Sequence, residues 1–77
     1  MGQKNRPKRL AEKLLQIRKK LGLSQLEMSK RIGKSYNAVS KYERGTGLPT
    51  LGEIVSYSRL ANVHGEEIVD DDLDLNL

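Results

Sequence analysis

The chain has 77 residues, no cysteine, no tryptophan, no phenylalanine and a single histidine, His64. A chain of this length forms one small core with no room for an internal cofactor cavity, and without cysteine it has neither disulfides nor thiolate metal sites. One histidine cannot assemble a zinc site or a Ser-His-Asp triad, so we expect no metal, no cofactor and no enzymatic activity. No apolar run approaches the ~20 residues of a membrane-spanning helix, and residues 1–9 do not resemble a secretory signal. We therefore expect a soluble, cytoplasmic protein without a membrane partner.

Charge is divided unevenly along the chain, although the net charge is only +4. Residues 1–44 contain 13 basic and three acidic side chains, whereas residues 45–77 contain one basic and seven acidic side chains. A basic half of this size favours a polyanionic partner, but a well-solvated lysine-rich surface gives the same count. Charge alone leaves both interpretations open.

The first helix is predicted after a basic arm, residues 1–9. Leu10, Leu14 and Ile17 recur at helical spacing, Pro7 suits a first helical turn, and Gly22 supplies a left-handed stop. The arm is either disordered or lies along a phosphate strand. Its basic residues are Lys4, Arg6, Lys8 and Arg9.

Two short helices follow, each with a recognisable start and end. Ser24 and Glu27 form the pattern of a capping box, and Gly33 ends the second helix after about two turns. Ser35 caps the third helix and Gly45 ends it. The expected buried positions of these two helices are Met28, Ile32, Ala38, Val39 and Tyr42.

The fourth helix is predicted to start at Thr50 and to end at Asn62, which tolerates a left-handed backbone. Its expected inward face comprises Leu51, Ile54, Val55, Ser58 and Ala61. A short fifth helix is predicted over residues 65–69, with Val63 and Ile68 packed on the body. The sequence therefore predicts an all-α, compact five-helix bundle over residues 10–69.

The last eight residues, 70–77, form an acidic segment. Leucines alternate with Asp74 and Asn76, which is strand periodicity, but an isolated strand is not stable. The segment is therefore expected to be disordered, as chain termini often are, or to contact a second chain in a dimer.

The second and third predicted helices have the spacing of a helix-turn-helix. Gly33 allows the sharp turn, Ser29 keeps the first helix slim at the crossing, and Val39 anchors the second helix underneath. The opposite face of the third helix is then almost entirely polar. We call it the outer face, and it consists of Tyr36, Asn37, Ser40, Lys41 and Arg44.

At these residues the sequence resembles the phage repressor and Cro (XRE) type of helix-turn-helix family. Residues 23–29, LSQLEMS, look like the family pattern "glsQeeLA", and Tyr42-Glu43-Arg44-Gly45 followed by Pro49 looks like "xErGxxxP". The resemblance implies a lambda-repressor-like bundle, sequence-specific DNA binding, a bacterial or phage origin, and usually a homodimer acting as a repressor. Lys34 departs from the family pattern, because a small apolar residue is common at its position.

Base contacts are expected from the first turns of the third helix, because the major groove admits a helix and exposes the base edges. Asn37 suits adenine and Lys41 suits guanine, with Ser40 as an adaptable neighbour. Tyr36 can touch a sugar or a thymine methyl group, or it is simply a half-buried surface aromatic.

Phosphate contacts are expected on both flanks of that helix. Gln25, at the start of the second helix, matches the family glutamine that binds phosphate and braces the recognition helix, and the free N–H groups at the start of the second helix also favour an anion. The N–H groups of residues 45–50 are expected to hold the other flank. The remaining predicted phosphate contacts are Lys34, Ser35, Arg44 and Thr46.

Arg18 and Glu43 look like the family's buried or half-buried ion pair between the first and third helices. A plain surface pair is the alternative, and it contributes under about 1 kcal/mol.

Together these features predict a DNA-binding regulator that binds an inverted-repeat operator as a homodimer. The apolar residues offered as the dimer surface are Ile68, Val69, Leu73, Leu75 and Leu77. The alternative is an antitoxin or adaptor whose acidic segment binds a protein partner. A pure adaptor would tolerate changes at Asn37 and Lys41, whereas a DNA reader would not.

Overall fold

The computed structural model describes residues 7–77, and this part of the chain is helical without strands. Its extents are 33 × 25 × 18 Å. The predicted all-α fold of five helices is confirmed. The helices are α1 (Leu10–Lys20), α2 (Gln25–Ile32), α3 (Tyr36–Arg44), α4 (Leu51–Ala61) and α5 (Gly65–Val69).

Helix boundaries follow from local capping chemistry. Ser24 and Glu27 form a capping box at α2, and the Ser35 hydroxyl oxygen accepts the backbone N–H of Ala38 at α3. The chain after α2 turns through Gly33 at φ 71°, a left-handed conformation that glycine adopts without a Cβ penalty. These ends give α2 and α3 the lengths that a helix-turn-helix requires.

The start of α1 differs from the prediction, because Pro7 lies before the helix rather than in its first turn. The Asp71 carboxylate accepts the backbone N–H groups of Lys8 and Arg9, at 2.8 and 3.0 Å. These bonds hold the two residues ahead of the helix, which begins at Leu10. Residues 1–6 of the predicted basic arm lie outside the described residues.

The inward face of α4 is also rotated from its predicted position. Ile54 is buried as expected, but Leu51 is 80% exposed and Val55 is 36% exposed. Tyr57 and Glu53 are buried instead. Tyr57 has far more apolar area than Val55, so burying its ring stabilises this rotation more strongly.

The core comprises residues from all five helices. Its fully or almost fully buried apolar members are Leu10, Leu14, Ile17, Met28, Ile32, Val39, Tyr42, Ile54, Tyr57 and Ile68. Ala38, Val63 and Leu75 are partly buried against this cluster. The helix-turn-helix therefore lies on a platform formed by α1, α4 and α5.

The acidic segment, residues 70–77, lies along α1 in the described structure, and its contact with a second chain stays a prediction. Lys13 is fully buried, and its ammonium donates to the carbonyls of Glu67, Asp70 and Leu73 at 2.7, 2.7 and 2.6 Å. Hydrogen bonds from a charged donor are stronger than neutral ones, and three of them hold the segment in place. The alternating leucines of the segment do not predict its contact with Lys13.

Candidate nucleic-acid interface

The inner face of α3 fixes this helix on the body. Val39 is fully buried and Tyr42 is nearly so, while Ser29 of α2 is buried where the two helices approach. The Ser29 hydroxyl donates to the carbonyl of Leu26 at 2.6 Å, so its burial leaves no unpaired polar group. A small, internally bonded side chain at this point lets α2 and α3 lie close together.

The outer face of α3 is open to solvent. Tyr36 is 50% exposed, Asn37, Lys41 and Arg44 are exposed, and Ser40 is half-buried. Positions 37, 41 and 44 follow helical spacing and lie opposite Val39 and Tyr42. The structure thus brings the predicted base-contacting residues to one polar surface, and the half-exposed Tyr36 fits both interpretations given for it.

Arg18, Glu43 and Gln25 form a bonded group behind α3. The Arg18 guanidinium donates to both oxygens of the Glu43 carboxylate, at 2.7 and 3.0 Å, and to the carbonyl of Leu23 at 2.9 Å. The Arg18 and Glu43 side chains are only 15% and 5% exposed, so this is not a surface pair. The hydrogen bond with Glu43 raises the pKa of Arg18. Bidentate geometry and burial give the pair a larger structural role than an exposed ion pair has.

Gln25 joins this group at the start of α2. Its Nε2 donates to Glu43 Oε1 at 2.9 Å, which ties α2 to α3. An amide nitrogen has two donors, so the second N–H can still meet an acceptor. Gln25 is therefore placed to brace the helix, with one donor left for a phosphate.

The predicted phosphate contacts occupy different environments. Arg44 and Thr46 are exposed after the buried part of α3, and Ser35 is exposed at its start. The Ser35 oxygen accepts the N–H of Ala38 at 3.2 Å, which leaves its hydroxyl proton as a donor. Lys34 is not a free cation, because its ammonium lies 3.0 Å from Glu53 Oε2.

Most of the backbone donors that the sequence predicts for the loop after α3 are bonded within the domain. The N–H groups of Thr46 and Gly47 both donate to the carbonyl of Lys41, at 3.0 and 3.3 Å. The N–H of Thr50 donates to Glu53 Oε1 at 3.0 Å. These donors end α3 and start α4, so they are not free for a phosphate.

Glu53 is a buried residue beside this interface that the sequence analysis does not single out. Its side chain is 5% exposed and its Oε1 accepts the Tyr42 hydroxyl at 2.5 Å, while its Oε2 faces Lys34. Burial raises the pKa of Glu53, but the bonds from Tyr42, Thr50 and Lys34 outweigh burial and hold that pKa below its usual range. Burial, with the bond to Glu53, raises the pKa of Tyr42 to about 12. The Thr50–Glu53 spacing of a capping box was the available signal.

The described end of the basic arm is occupied by the acidic segment. The Arg9 guanidinium donates to the Asp74 carboxylate at 2.8 Å and to the carbonyl of Asp71 at 3.0 Å. The Lys8 side chain is exposed. Arg9 is therefore bonded within the domain, whereas Lys8 is available on its surface.

The residues offered as a dimer surface separate into two groups. Ile68 is fully buried in the core and Leu75 is half-buried against it, so Ile68 is corrected to a core residue. Val69, Leu73 and Leu77 remain between 41% and 43% exposed. These three residues are what we call the apolar patch.

The helix-turn-helix family model matches residues 14–68, which is most of the chain. The P22 c2 repressor in complex with synthetic operator 9T is similar in structure, with a TM-score of 0.74 and 25% identity over 82% of this chain and 96% of that one. The solution structure of the P22 c2 repressor DNA-binding domain matches with a TM-score of 0.73 and 26% identity, over 84% of this chain and 86% of that one. The N-terminal DNA-binding domain of SinR from Bacillus subtilis shares the fold, with a TM-score of 0.70 and 21% identity over 78% of this chain and 88% of that one. A search of curated protein sequences found no match. Within residues 7–77 no helix is long and apolar enough to cross a membrane.

Proposed function

Because the chain belongs to the helix-turn-helix family, of the phage repressor and XRE type, we propose that it is a sequence-specific, double-stranded DNA-binding regulator of transcription. The observation that carries this proposal is the outer face of α3, which is polar and exposed while its inner face is fixed by Val39, Tyr42 and Glu43. A rigid helix with base-reading side chains on one face fits the major groove.

Base recognition is assigned to the first two turns of α3. Asn37 has the paired donor and acceptor that adenine presents in reverse, and Lys41 lies one turn further along to reach guanine O6 and N7. Ser40 is half-buried beside Lys41 and contributes an adaptable hydroxyl. Tyr36 lies at the rim of the face and contacts sugar or a thymine methyl group.

Phosphate contacts are assigned to side chains around this face. Gln25 offers its remaining amide donor and Ser35 its hydroxyl proton, each at the first turn of a helix, where the dipole also favours an anion. Arg44 and Thr46 hold the opposite flank. Such contacts carry no sequence information, and they make binding fall steeply with salt.

We further propose that the protein represses transcription as a homodimer on an inverted-repeat operator. One copy of α3 makes few base contacts, and two-fold pairing doubles them on half-sites roughly 34 Å apart. The apolar patch, Val69, Leu73 and Leu77, supports the dimer, because apolar side chains left partly exposed at a surface favour association.

The adaptor alternative loses the support that it had from a free acidic segment. Asp71 is bonded to the backbone of Lys8 and Arg9, and Asp74 is bonded to the Arg9 side chain. These carboxylates are already partnered within the domain, so they offer less charge to a basic protein.

The test is selection of bound duplexes from a random-sequence pool, followed by titration of the enriched site. We expect enrichment of a site with dyad symmetry. Asn37→Ala should relax base preference at one position per half-site, and Arg44→Ala should weaken binding to all sequences. Lys30→Ala, at an exposed position of α2, is the matched control.

The dimer is tested separately by sedimentation. Leu73→Ser and Leu77→Ser remove apolar area from the patch without touching the Lys13 bonds, which involve backbone carbonyls. We expect weaker self-association and lower cooperativity on the selected site. Unchanged self-association in the double variant would contradict the assignment of this surface.

A further inference from the structure

The Glu53 carboxylate contacts one side chain that precedes α3 and one that belongs to its last turns. Lys34 stands in the turn before α3, one residue ahead of the cap Ser35, and Tyr42 belongs to the last turns of the helix. These two positions are about 12 Å apart along a helix axis, at 1.5 Å per residue. Glu53 itself belongs to the first turn of α4. A single buried group on α4 thus accepts a hydrogen bond from Tyr42 near one end of the exposed helix and forms an ion pair with Lys34 at the other.

The two oxygens of Glu53 divide this work. Oε1 accepts the Tyr42 hydroxyl and the Thr50 backbone N–H, at 2.5 and 3.0 Å. Oε2 is buried and lies 3.0 Å from the Lys34 ammonium. A buried carboxylate oxygen is costly without a partner, so the structure keeps Lys34 over this oxygen. The turn between α2 and α3 is therefore held at a fixed distance from α4.

We propose that Glu53 is a positioning residue for DNA recognition, and that Lys34 acts on Glu53 rather than on a phosphate. The inference rests on the proposed function. Tyr42 fixes the end of α3 and Lys34 fixes its beginning, so the carboxylate sets the tilt of the outer face. Asn37 and Lys41 need that tilt, because bidentate base contacts tolerate little misplacement.

A phosphate contact and a positioning contact differ in what they do to salt dependence and to sequence discrimination. Loss of one phosphate contact reduces the magnitude of the negative slope of log K against log salt by about 0.9, and it weakens binding to all duplexes alike. Loss of a positioning contact leaves the slope unchanged and lowers the affinity for the specific site alone. A variant that merely unfolds part of the sample weakens both duplexes by the same factor.

The experiment compares Lys34→Met, Glu53→Gln and the double variant. The probes are the duplex enriched by the wild-type chain from a random pool and a shuffled duplex of the same length and composition. We expect each single variant to bind the enriched duplex about three- to tenfold more weakly, with little change on the shuffled duplex and an unchanged salt slope. The double variant should lose no more than the weaker single variant, because both substitutions break one contact.

A check of the fold and two companion variants make the result decisive. Glu53→Gln keeps the side-chain volume and an acceptor for Tyr42, so the fold should persist, and far-ultraviolet circular dichroism checks this. Lys34→Arg keeps a cation near Glu53 and should restore discrimination. Lys30→Met is the matched control for the loss of a positive charge on α2, where the side chain is exposed.

Each alternative outcome is distinguishable. Equal weakening of both duplexes by Lys34→Met, with a reduced salt slope, would make Lys34 a phosphate contact and overturn the inference. Unchanged discrimination in folded Glu53→Gln would reduce Glu53 to a structural residue. If the wild-type chain enriched no duplex, the proposed function would fail and the inference would fall with it.

Discussion

Replacing Lys13 with methionine should release the acidic segment from α1. Methionine keeps the length and apolar stem of the side chain, so the change removes the buried ammonium and its three hydrogen bonds. The carbonyls of Glu67, Asp70 and Leu73 then lose their donor. The segment either remains docked with unpaired carbonyls or leaves α1 so that water can reach them.

The magnitude follows from these two possibilities. A hydrogen bond to a charged group contributes roughly 1.5–3 kcal/mol, so three of them set an upper bound on the loss of stability. The actual loss is smaller, because the segment can detach and let water bond to the carbonyls. Loss of the desolvated ammonium also offsets part of the cost. We therefore expect the free energy of unfolding to fall by about 2–4 kcal/mol. For 77 residues the total is about 4–12 kcal/mol, so this is a large fraction.

Urea denaturation gives the stability change, and carboxypeptidase digestion reports whether the segment is docked. We expect a lower midpoint and faster removal of the last residues in Lys13→Met. Lys19→Met changes an exposed lysine of the same helix and should shift the stability by less than about 1 kcal/mol. Equal stability and equal digestion of Lys13→Met and the wild-type chain would refute the role assigned to these bonds.

Three further predictions concern single groups. Tyr57→Phe should leave the free energy of unfolding unchanged or raise it by up to about 1 kcal/mol, because the buried Tyr57 hydroxyl has no hydrogen-bond partner within the described chain; thermal unfolding checks this. Asn62→Gly should stabilise by up to about 1 kcal/mol, since Asn62 has φ 56° and glycine adopts that backbone more readily; a lower melting temperature would contradict it. Hydrogen bonds from the backbone N–H groups of Lys8 and Arg9 lower the pKa of Asp71 from 3.8. The Asp71 carboxylate therefore stabilises the fold above pH 3.8, and this stabilisation is lost as the pH falls through the lower pKa of the folded state. Nuclear magnetic resonance titration should show the acidic segment detaching at that pH, and Asp71→Asn should remove this transition.

The parts of the fold that depend on local chemistry could be predicted from the sequence. Ser24, Ser35 and Thr50 act through residues within three positions, and Gly33 acts through its own backbone, so the pattern contains all the necessary information. The same holds for the outer face of α3, because helical spacing determines which side chains are opposite Val39.

The remaining features depend on partners distant in the chain. The rotation of α4 depends on Tyr42 meeting Glu53, and the docked acidic segment depends on Lys13, which precedes the carbonyls that it binds by more than 50 residues. A lysine in a helical pattern reads as a solvated residue, because lysine is seldom buried. The sequence also predicts a phosphate contact for Lys34, because a positive charge in a turn does not reveal which anion it faces.

The pairing of Arg9 with Asp74 brings the two ends of the described chain side by side. A short flexible linker can therefore join them, and the chain can be reopened at an exposed turn such as Gly22. In that circular permutant α1 follows the acidic segment and the linker, and the bonds of Lys13 span a much shorter stretch of chain. The loop between Lys13 and Glu67 would become short, whereas Arg18 and Glu43 would become the pair that is distant in sequence.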